Sequence, residues 1–186
     1  MADYAEWGPL AGLVGEWTGD QGMDFSFHNV EGEVGETPYR ENVTNKPFGP
    51  VDNGTQHLYG LDYRMAAWRT NVDEENPFHT EVGYWLWDGA TGEILRCFVI
   101  PRGSTILAGG IAQADDTKFM MEATVGDEQY GISSNKYLAT KARTKSYVLH
   151  VEINGETWSY DESTLYHHAI GGEIAHTDRN TLRRAD

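Results

Sequence analysis

Residues 145–160, Lys145-Ser-Tyr-Val-Leu-His-Val-Glu-Ile-Asn-Gly-Glu-Thr-Trp-Ser-Tyr160, decide the fold class. Large apolar side chains alternate with mostly polar ones over nine residues, which is typical of a strand with one buried face. The alternating sets are Tyr147, Leu149, Val151 and Ile153 against Ser146, Val148, His150 and Glu152. Asn154-Gly155 follows and predicts a type I′ turn, because both central residues of that turn have positive φ. The pattern resumes at Trp158 and Tyr160, so the stretch predicts an antiparallel hairpin.

The same alternation recurs on both sides of this hairpin. Further strands are predicted to begin at Gly15 and to cover 39–47, 57–65, 82–87, 93–100, 104–113, 118–125 and 173–184. Trp7, Leu10 and Leu13 form one apolar stripe, which predicts a short N-terminal helix over 4–13, and a helical turn is expected at 134–139. The remaining acidic and glycine-rich stretch, 20–36, is expected to be an exposed loop.

These elements predict an all-β protein with about ten antiparallel strands in an up-and-down β-barrel. Closure into a barrel removes the unpaired edges of a long antiparallel sheet and leaves an interior that holds a ligand. The chain has 186 residues, which suits a single domain over 1–186. We expect a small-molecule ligand in the barrel cavity and a monomer or a homodimer.

Composition excludes several functional classes. The sequence has 14 Lys and Arg against 29 Asp and Glu, a formal net charge of −15, which disfavours nucleic acid and anionic membranes as partners. Cys97 is the one cysteine, so an intramolecular disulfide and a zinc ribbon are both excluded. We expect Cys97 to be a packing residue. With no apolar leader pattern in the sequence, a cytoplasmic location is expected.

His176 is the principal candidate site residue. In a regular strand it shares a face with Ile174, Asp178, Asn180 and Leu182, and the two aliphatic residues predict that this face points inward. An unpaired polar group there would cost about 1–3 kcal/mol, so a metal centre, a polar ligand or water should satisfy it. A hydrogen-bonded structural histidine near the barrel rim remains the alternative. His167 and His168 are adjacent and face opposite ways, so they cannot chelate one ion.

Arg102 follows an apolar run and is the candidate rim cation for a ligand carboxylate, although a turn residue in a loop salt bridge is the alternative. Arg143 and several tyrosines are candidates for a polar end of the cavity, with ordinary barrel packing as the alternative. These tyrosines are Tyr39, Tyr59, Tyr63, Tyr137 and Tyr147. The sequence has no nucleophile elbow, phosphate loop, dinucleotide fingerprint or His-Glu-x-x-His motif.

Six motifs together resemble the nitrobindin-type haem-binding β-barrels, which are similar to fatty-acid-binding proteins. The motifs are Gly15-Glu-Trp-Thr-Gly19, Pro38-Tyr-Arg-Glu41, Gly83-Tyr-Trp-Leu-Trp-Asp88, Ile100-Pro-Arg-Gly103, Leu107-Ala-Gly-Gly110 and His176-Thr-Asp-Arg-Asn-Thr-Leu182. The resemblance implies a ten-stranded barrel that binds haem b, with His176 as the iron ligand. It also implies cofactor contacts from Gly15, Trp17, Gly19 and Arg102, and nitric oxide binding or isomerisation of peroxynitrite to nitrate at ferric haem.

In this interpretation, Asp178 or a backbone carbonyl would accept a hydrogen bond from the second ring nitrogen of His176. Aliphatic residues such as Leu61, Met65, Leu149 and Val151 would form the wall against the porphyrin. The alternative is a carrier of a small anionic apolar ligand such as a fatty acid, held by Arg102 and a tyrosine without catalysis.

Overall fold

The computed structural model describes residues 4–185. An N-terminal 3-10 helix covers Ala5–Leu13, and one short α-helix, α1, covers Lys136–Lys141 with Asn135 as its N-cap. The strands are β1 (Gly15–His28), β2 (Glu33–Asp52), β3 (His57–Arg69), β4 (His79–Asp88), β5 (Glu93–Ile100), β6 (Ser104–Ile111), β7 (Lys118–Thr124), β8 (Ile132–Ser134), β9 (Ala142–Asn154), β10 (Thr157–His168) and β11 (Gly172–Arg184).

Ten of these strands form a closed antiparallel barrel. The ring runs from β1 through β7 in sequence order, continues with β9, β10 and β11, and returns to β1. The three-residue strand β8 lies beside β6 and is not needed for closure. Within residues 4–185 no helix is long and apolar enough to cross a membrane. The prediction of a ten-stranded barrel with a short N-terminal helix is therefore confirmed.

The deciding hairpin forms, but its turn differs from the predicted one. Asn154 is still in β9 and pairs with Thr157, so the two turn residues are Gly155 and Glu156. Gly155 has a φ of +62°, whereas no non-glycine residue among those described has positive φ. The type I′ assignment at Asn154-Gly155 is wrong, because that turn needs positive φ at both central residues. Positive φ at the first position only is the pattern of a type II′ turn.

The predicted loop over 20–36 is also wrong. Strand β1 continues to His28, and a short turn connects it to β2 at Glu33. A bulge between Gly19 and Gly22 shifts the register of β1 against β2, so the buried positions change parity and the period of two disappears from the sequence. Gly22 then lies under the Tyr39 ring, where an added Cβ would come within 2.3 Å of it.

The 3-10 helix closes one end of the barrel. Leu10 and Leu13 are fully buried, and the Leu13 carbonyl accepts hydrogen bonds from Trp17 Nε1 at 2.8 Å and Asn45 Nδ2 at 2.9 Å. The helix bends at Gly8, where φ is +52° and an added Cβ would lie 2.6 Å from the Trp87 ring. The cavity opens at the opposite end, near the turn between β1 and β2 and the last residue of β10.

Candidate functional site

A cavity of about 720 Å³ occupies the barrel interior and extends to the end opposite the 3-10 helix. This volume lies within the range of small-molecule sites. Its wall is mixed: aliphatic side chains include Met65, Ile100, Ile106 and Leu149, while the carboxylates of Asp24, Glu41, Glu81, Glu162 and Asp178 also line it. Turn residues between β1 and β2, Arg102, and α1 surround the opening.

His176 lies on the inward face of β11 and contacts two carboxylates. Its Nε2 lies 2.6 Å from Asp24 Oδ2 and 2.7 Å from Asp178 Oδ2. Asp178 is two residues along the same strand, and Asp24 is its direct cross-strand partner on β1. Ile174 and Leu182 on the same face are buried, so the predicted orientation of this strand is confirmed. Asp24, His176 and Asp178 together define the His176 cluster.

The carboxylates control the protonation of His176. Burial alone would lower the pKa of the imidazole, but the hydrogen bonds and negative charges of Asp178 and Asp24 raise it to about 10. Burial raises the pKa of Asp178, whereas the hydrogen bond and charge of His176 outweigh burial at Asp24 and lower its pKa. At neutral pH the cluster is therefore an imidazolium held between carboxylates.

A second charged cluster lies deeper in the barrel around Arg96. Its guanidinium donates to Glu81 Oε2 at 2.5 Å and to Glu162 Oε2 at 2.9 Å. It also contacts the hydroxyl groups of Tyr63 and Tyr147, which donate to Glu81 and Glu162, respectively. Arg96, Glu81, Glu162, Tyr63 and Tyr147 together define the Arg96 cluster. Two carboxylates thus offset the charge of this buried cation.

Glu41 is a further buried carboxyl group in the cavity wall. Its Oε1 accepts hydrogen bonds from Tyr160 Oη at 2.9 Å and Asn180 Nδ2 at 2.7 Å. Burial raises the pKa of Glu41 to about 7 despite these two donors. Since no cation among residues 4–185 forms an ion pair with it, a pKa of about 7 lets Glu41 exchange a proton near neutral pH.

Three cations lie at the opening of the cavity. Arg69 is already paired with Glu74 at 2.8 Å and its guanidinium stacks 4.6 Å from the Phe78 ring. Arg102 and Lys141 are exposed, and within residues 4–185 neither side chain forms an ion pair. In a chain with a net charge of −15, these two side chains are available to an anionic group at the cavity opening.

The structure brings only some of the sequence-predicted residues to the cavity. His176, Arg102, Tyr39, Tyr63 and Tyr137 line it, as do Met65 and Leu149. Gly15, Trp17 and Gly19 do not line it; Trp17 is buried beside the 3-10 helix. Leu61 and Val151 are core residues outside the lining, Tyr147 belongs to the Arg96 cluster, and Tyr59 and Arg143 are also outside the lining.

The adjacent histidines face opposite ways, as expected from strand geometry. His167 is exposed, whereas His168 is buried, lines the cavity and packs 4.1 Å from the Phe27 ring. The His168 Nδ1 atom also accepts from the backbone N–H of Gly171 at 3.1 Å, which supports the turn into β11. His168 is therefore a structural residue of the cavity opening.

Sequence reasoning missed most of the acidic lining. Asp24 was hidden in the stretch interpreted as a loop, but Arg96 was detectable. Arg96 lies between Ile94 and Phe98 at the period of two, and both neighbours are buried. Glu41 likewise lies between Tyr39 and Val43 on an inward face. Each of these charged residues lies at a strand position whose neighbours two residues away are apolar and buried. That pattern could have identified both residues from the sequence.

Comparison with known proteins identifies the family. Residues 6–184 match the model of the THAP4-like, heme-binding beta-barrel domain. The chain belongs to this family. One solved structure, Rv2717c from M. tuberculosis, aligns over 100% of both chains with 19% sequence identity and a TM-score of 0.65, which shows the same fold. No curated protein matches the sequence. Membership in a haem-binding family supports haem as the ligand of this barrel.

The residues present fit a haem group by three criteria. Aliphatic side chains line part of the cavity, and its opening carries Arg102 and Lys141, which form no ion pair with the described residues. His176 faces the cavity, and its two contacts with carboxylates both involve Nε2, which leaves Nδ1 without a hydrogen bond among the described residues. A histidine that ligates a metal generally donates its other ring N–H to an acceptor such as a carboxylate. Asp24 and Asp178 both place such a carboxylate at Nε2 of His176.

Proposed function

We propose that this protein binds haem b in the barrel cavity, with His176 as the residue that would hold the iron. The observation that carries the proposal is the inward-facing imidazole, held through one ring nitrogen by Asp24 and Asp178. An imidazole nitrogen of this kind is a common protein ligand of haem iron. Because the imidazole is protonated at neutral pH, ligation requires loss of one proton from the ring.

The other cavity residues would bind the remaining parts of the group. Met65, Ile106 and Leu149 supply aliphatic surface for the porphyrin faces. Arg102 and Lys141 would pair with the two propionates at the opening, because burying unpaired carboxylates is costly. The acidic interior below would repel the propionates, so it favours the orientation with both propionates toward solvent.

We further propose nitric oxide binding and the isomerisation of peroxynitrite to nitrate as the activity. Bound ferric haem would supply an open coordination position that acts as a Lewis acid. The protein would orient the group through His176 and shield it with the aliphatic wall. The conversion of peroxynitrite to nitrate only rearranges atoms, so it needs no electron donor and no net proton.

Haemin titration tests the binding proposal. We expect the wild-type protein to produce a Soret band with one haem per chain, and His176→Ala to lose most of it. His167→Ala is the matched control, because His167 is exposed on the adjacent strand, and it should bind as the wild type does. Equal haemin spectra for wild type and His176→Ala would overturn the assignment of the ligand. For the activity, the ultraviolet absorbance of peroxynitrite would follow its decay with haem-loaded protein.

A carrier of an anionic apolar ligand is the second candidate function. The observation that favours it is the pair of unpaired cations, Arg102 and Lys141, above an aliphatic wall. A fatty acid would place its carboxylate at these cations and its chain in the cavity. This function would be supported if the protein failed to bind haemin but bound a fatty acid, with loss of affinity in Arg102→Gln.

A further inference from the structure

Asp24 and Asp178 face each other directly across the β1–β11 pair. Like charges in direct cross-strand positions are destabilising, so this arrangement requires a positive partner between them. His176 Nε2 fills that place, at 2.6 Å from one carboxylate and 2.7 Å from the other. Two carboxylates thus contact one imidazole, which is the proposed iron ligand.

We propose that Asp24 and Asp178 act on the haem iron through His176 and hold it in the ferric state. This inference rests on the proposed function, since it assumes that His176 ligates haem. Asp24 and Asp178 are positioning residues here, because their contact is with the imidazole of His176. Their effect is on the equilibrium Fe(III) + e⁻ ⇌ Fe(II), with the electron supplied in the test by a chemical reductant.

Two physical effects act in the same direction. A carboxylate that accepts the imidazole N–H makes the other ring nitrogen a stronger electron donor, which stabilises the more positive metal ion. Negative charge near the iron also favours the oxidation state that carries one more positive charge, and it does so strongly where water is largely excluded. Asp24 is buried and Asp178 half-buried, so solvent screens these charges only in part.

The neighbouring charges do not cancel this effect. Arg96 lies deeper in the cavity wall and His79 faces Asp178, but Glu81 and Glu162 offset the charges of these two groups. Arg102 and Lys141 lie at the opening, where solvent screens them. Glu41 is a further acidic group in the interior. The protein environment of the iron would therefore be net negative.

The test is the reduction potential of the haem-loaded protein, measured by spectroelectrochemistry for wild type, Asp24→Asn, Asp178→Asn and the double variant. Asparagine keeps an acceptor oxygen and removes the charge. We expect each single variant to lower the Fe(III)/Fe(II) ratio at a fixed potential about tenfold, which is 59 mV for one electron. The Fe–His stretching frequency of the ferrous form should fall in parallel. Asp161→Asn, at an exposed position on β10, is the matched control and should leave both readouts unchanged.

The outcomes separate this inference from the proposed function. If wild type binds haemin through His176 but neither aspartate variant shifts the potential, the inference is wrong and the proposed function stands. If wild type does not bind haemin, both are wrong. Should Asp24→Asn fail to fold because Asp24 is buried, Asp178→Asn alone carries the test, since Asp178 is more exposed.

Discussion

The barrel contains two clusters with the same charge pattern, a cation between two carboxylates. In the Arg96 cluster the cation is almost fully buried and also contacts two tyrosine hydroxyl groups. In the His176 cluster the cation is half-buried and lies near the open end of the cavity. A guanidinium has no lone pair to give to a metal and stays protonated, whereas an imidazole can lose a proton and ligate iron.

This difference assigns different roles to the two clusters. The Arg96 cluster supplies a fixed charge and links β3, β4, β5, β9 and β10 across the barrel interior. The His176 cluster has one ring nitrogen held in place and can change its protonation state. One arrangement therefore stabilises the fold, and the other is suited to chemistry at the cavity opening.

The largest expected effect is at Arg96. Arg96→Met should lower the free energy of unfolding by about 3–5 kcal/mol, because it leaves Glu81 and Glu162 buried without their cation. Urea denaturation monitored by tryptophan fluorescence measures this loss. The matched control replaces Arg96, Glu81 and Glu162 together with apolar residues, and it should cost less than the single change. A single-variant loss below about 1 kcal/mol would contradict the structural role.

His176→Ala should have a smaller effect that depends on pH. The pKa of His176 rises from 6.5 to about 10 on folding, so the folded state binds the proton more tightly. The resulting stabilisation is fully present below pH 6.5 and disappears as pH rises through 10. We expect wild type to be more stable than His176→Ala at pH 6, by less than the Arg96 loss because solvent partly screens the His176 cluster, and the difference to shrink steadily above pH 7. Denaturant titrations of both proteins at several pH values measure it, and a difference that grows with pH would contradict the assignment.

The two clusters also show what the sequence could and could not predict. The period of two predicted the barrel and the inward orientation of His176, because burial acts on alternate residues of each strand. It could not predict Asp24 as the partner of His176, since the bulge at Gly19–Gly22 reverses the parity of β1. Pairing of the first strand with the last is a long-range contact, and local sequence does not encode it. The Arg96 cluster likewise joins residues of β3, β4 and β5 to residues of β9 and β10, and only barrel closure brings these two groups of strands together.

Glu41 should change stability with pH in the opposite direction from an ordinary carboxylate. Burial raises its pKa from 4.5 to about 7, so stability falls as pH rises from 4.5 to 7, by up to about 3 kcal/mol for this group. Glu41→Gln removes the charge and should be more stable than wild type at pH 8, with little advantage at pH 4.5. Glu122→Gln, an exposed change on β7, is the control. No gain at pH 8 would mean that Glu41 has a cationic partner.

Gly155 provides a reference outside both clusters and should show the smallest effect. Its φ is +62°, and no atom lies within 4 Å of an added Cβ, so a substitution there tests backbone strain alone. Gly155→Val should lower the free energy of unfolding by about 1 kcal/mol, because a β-branched residue resists left-handed backbone. Gly155→Asn, which tolerates that region, should lose less. Because no cluster residue contacts this turn, the loss should be equal at pH 6 and pH 9. A pH-dependent loss would mean that the turn is energetically coupled to the charged residues of the interior. The coupling would then run through β9 and β10, the two strands that this turn connects.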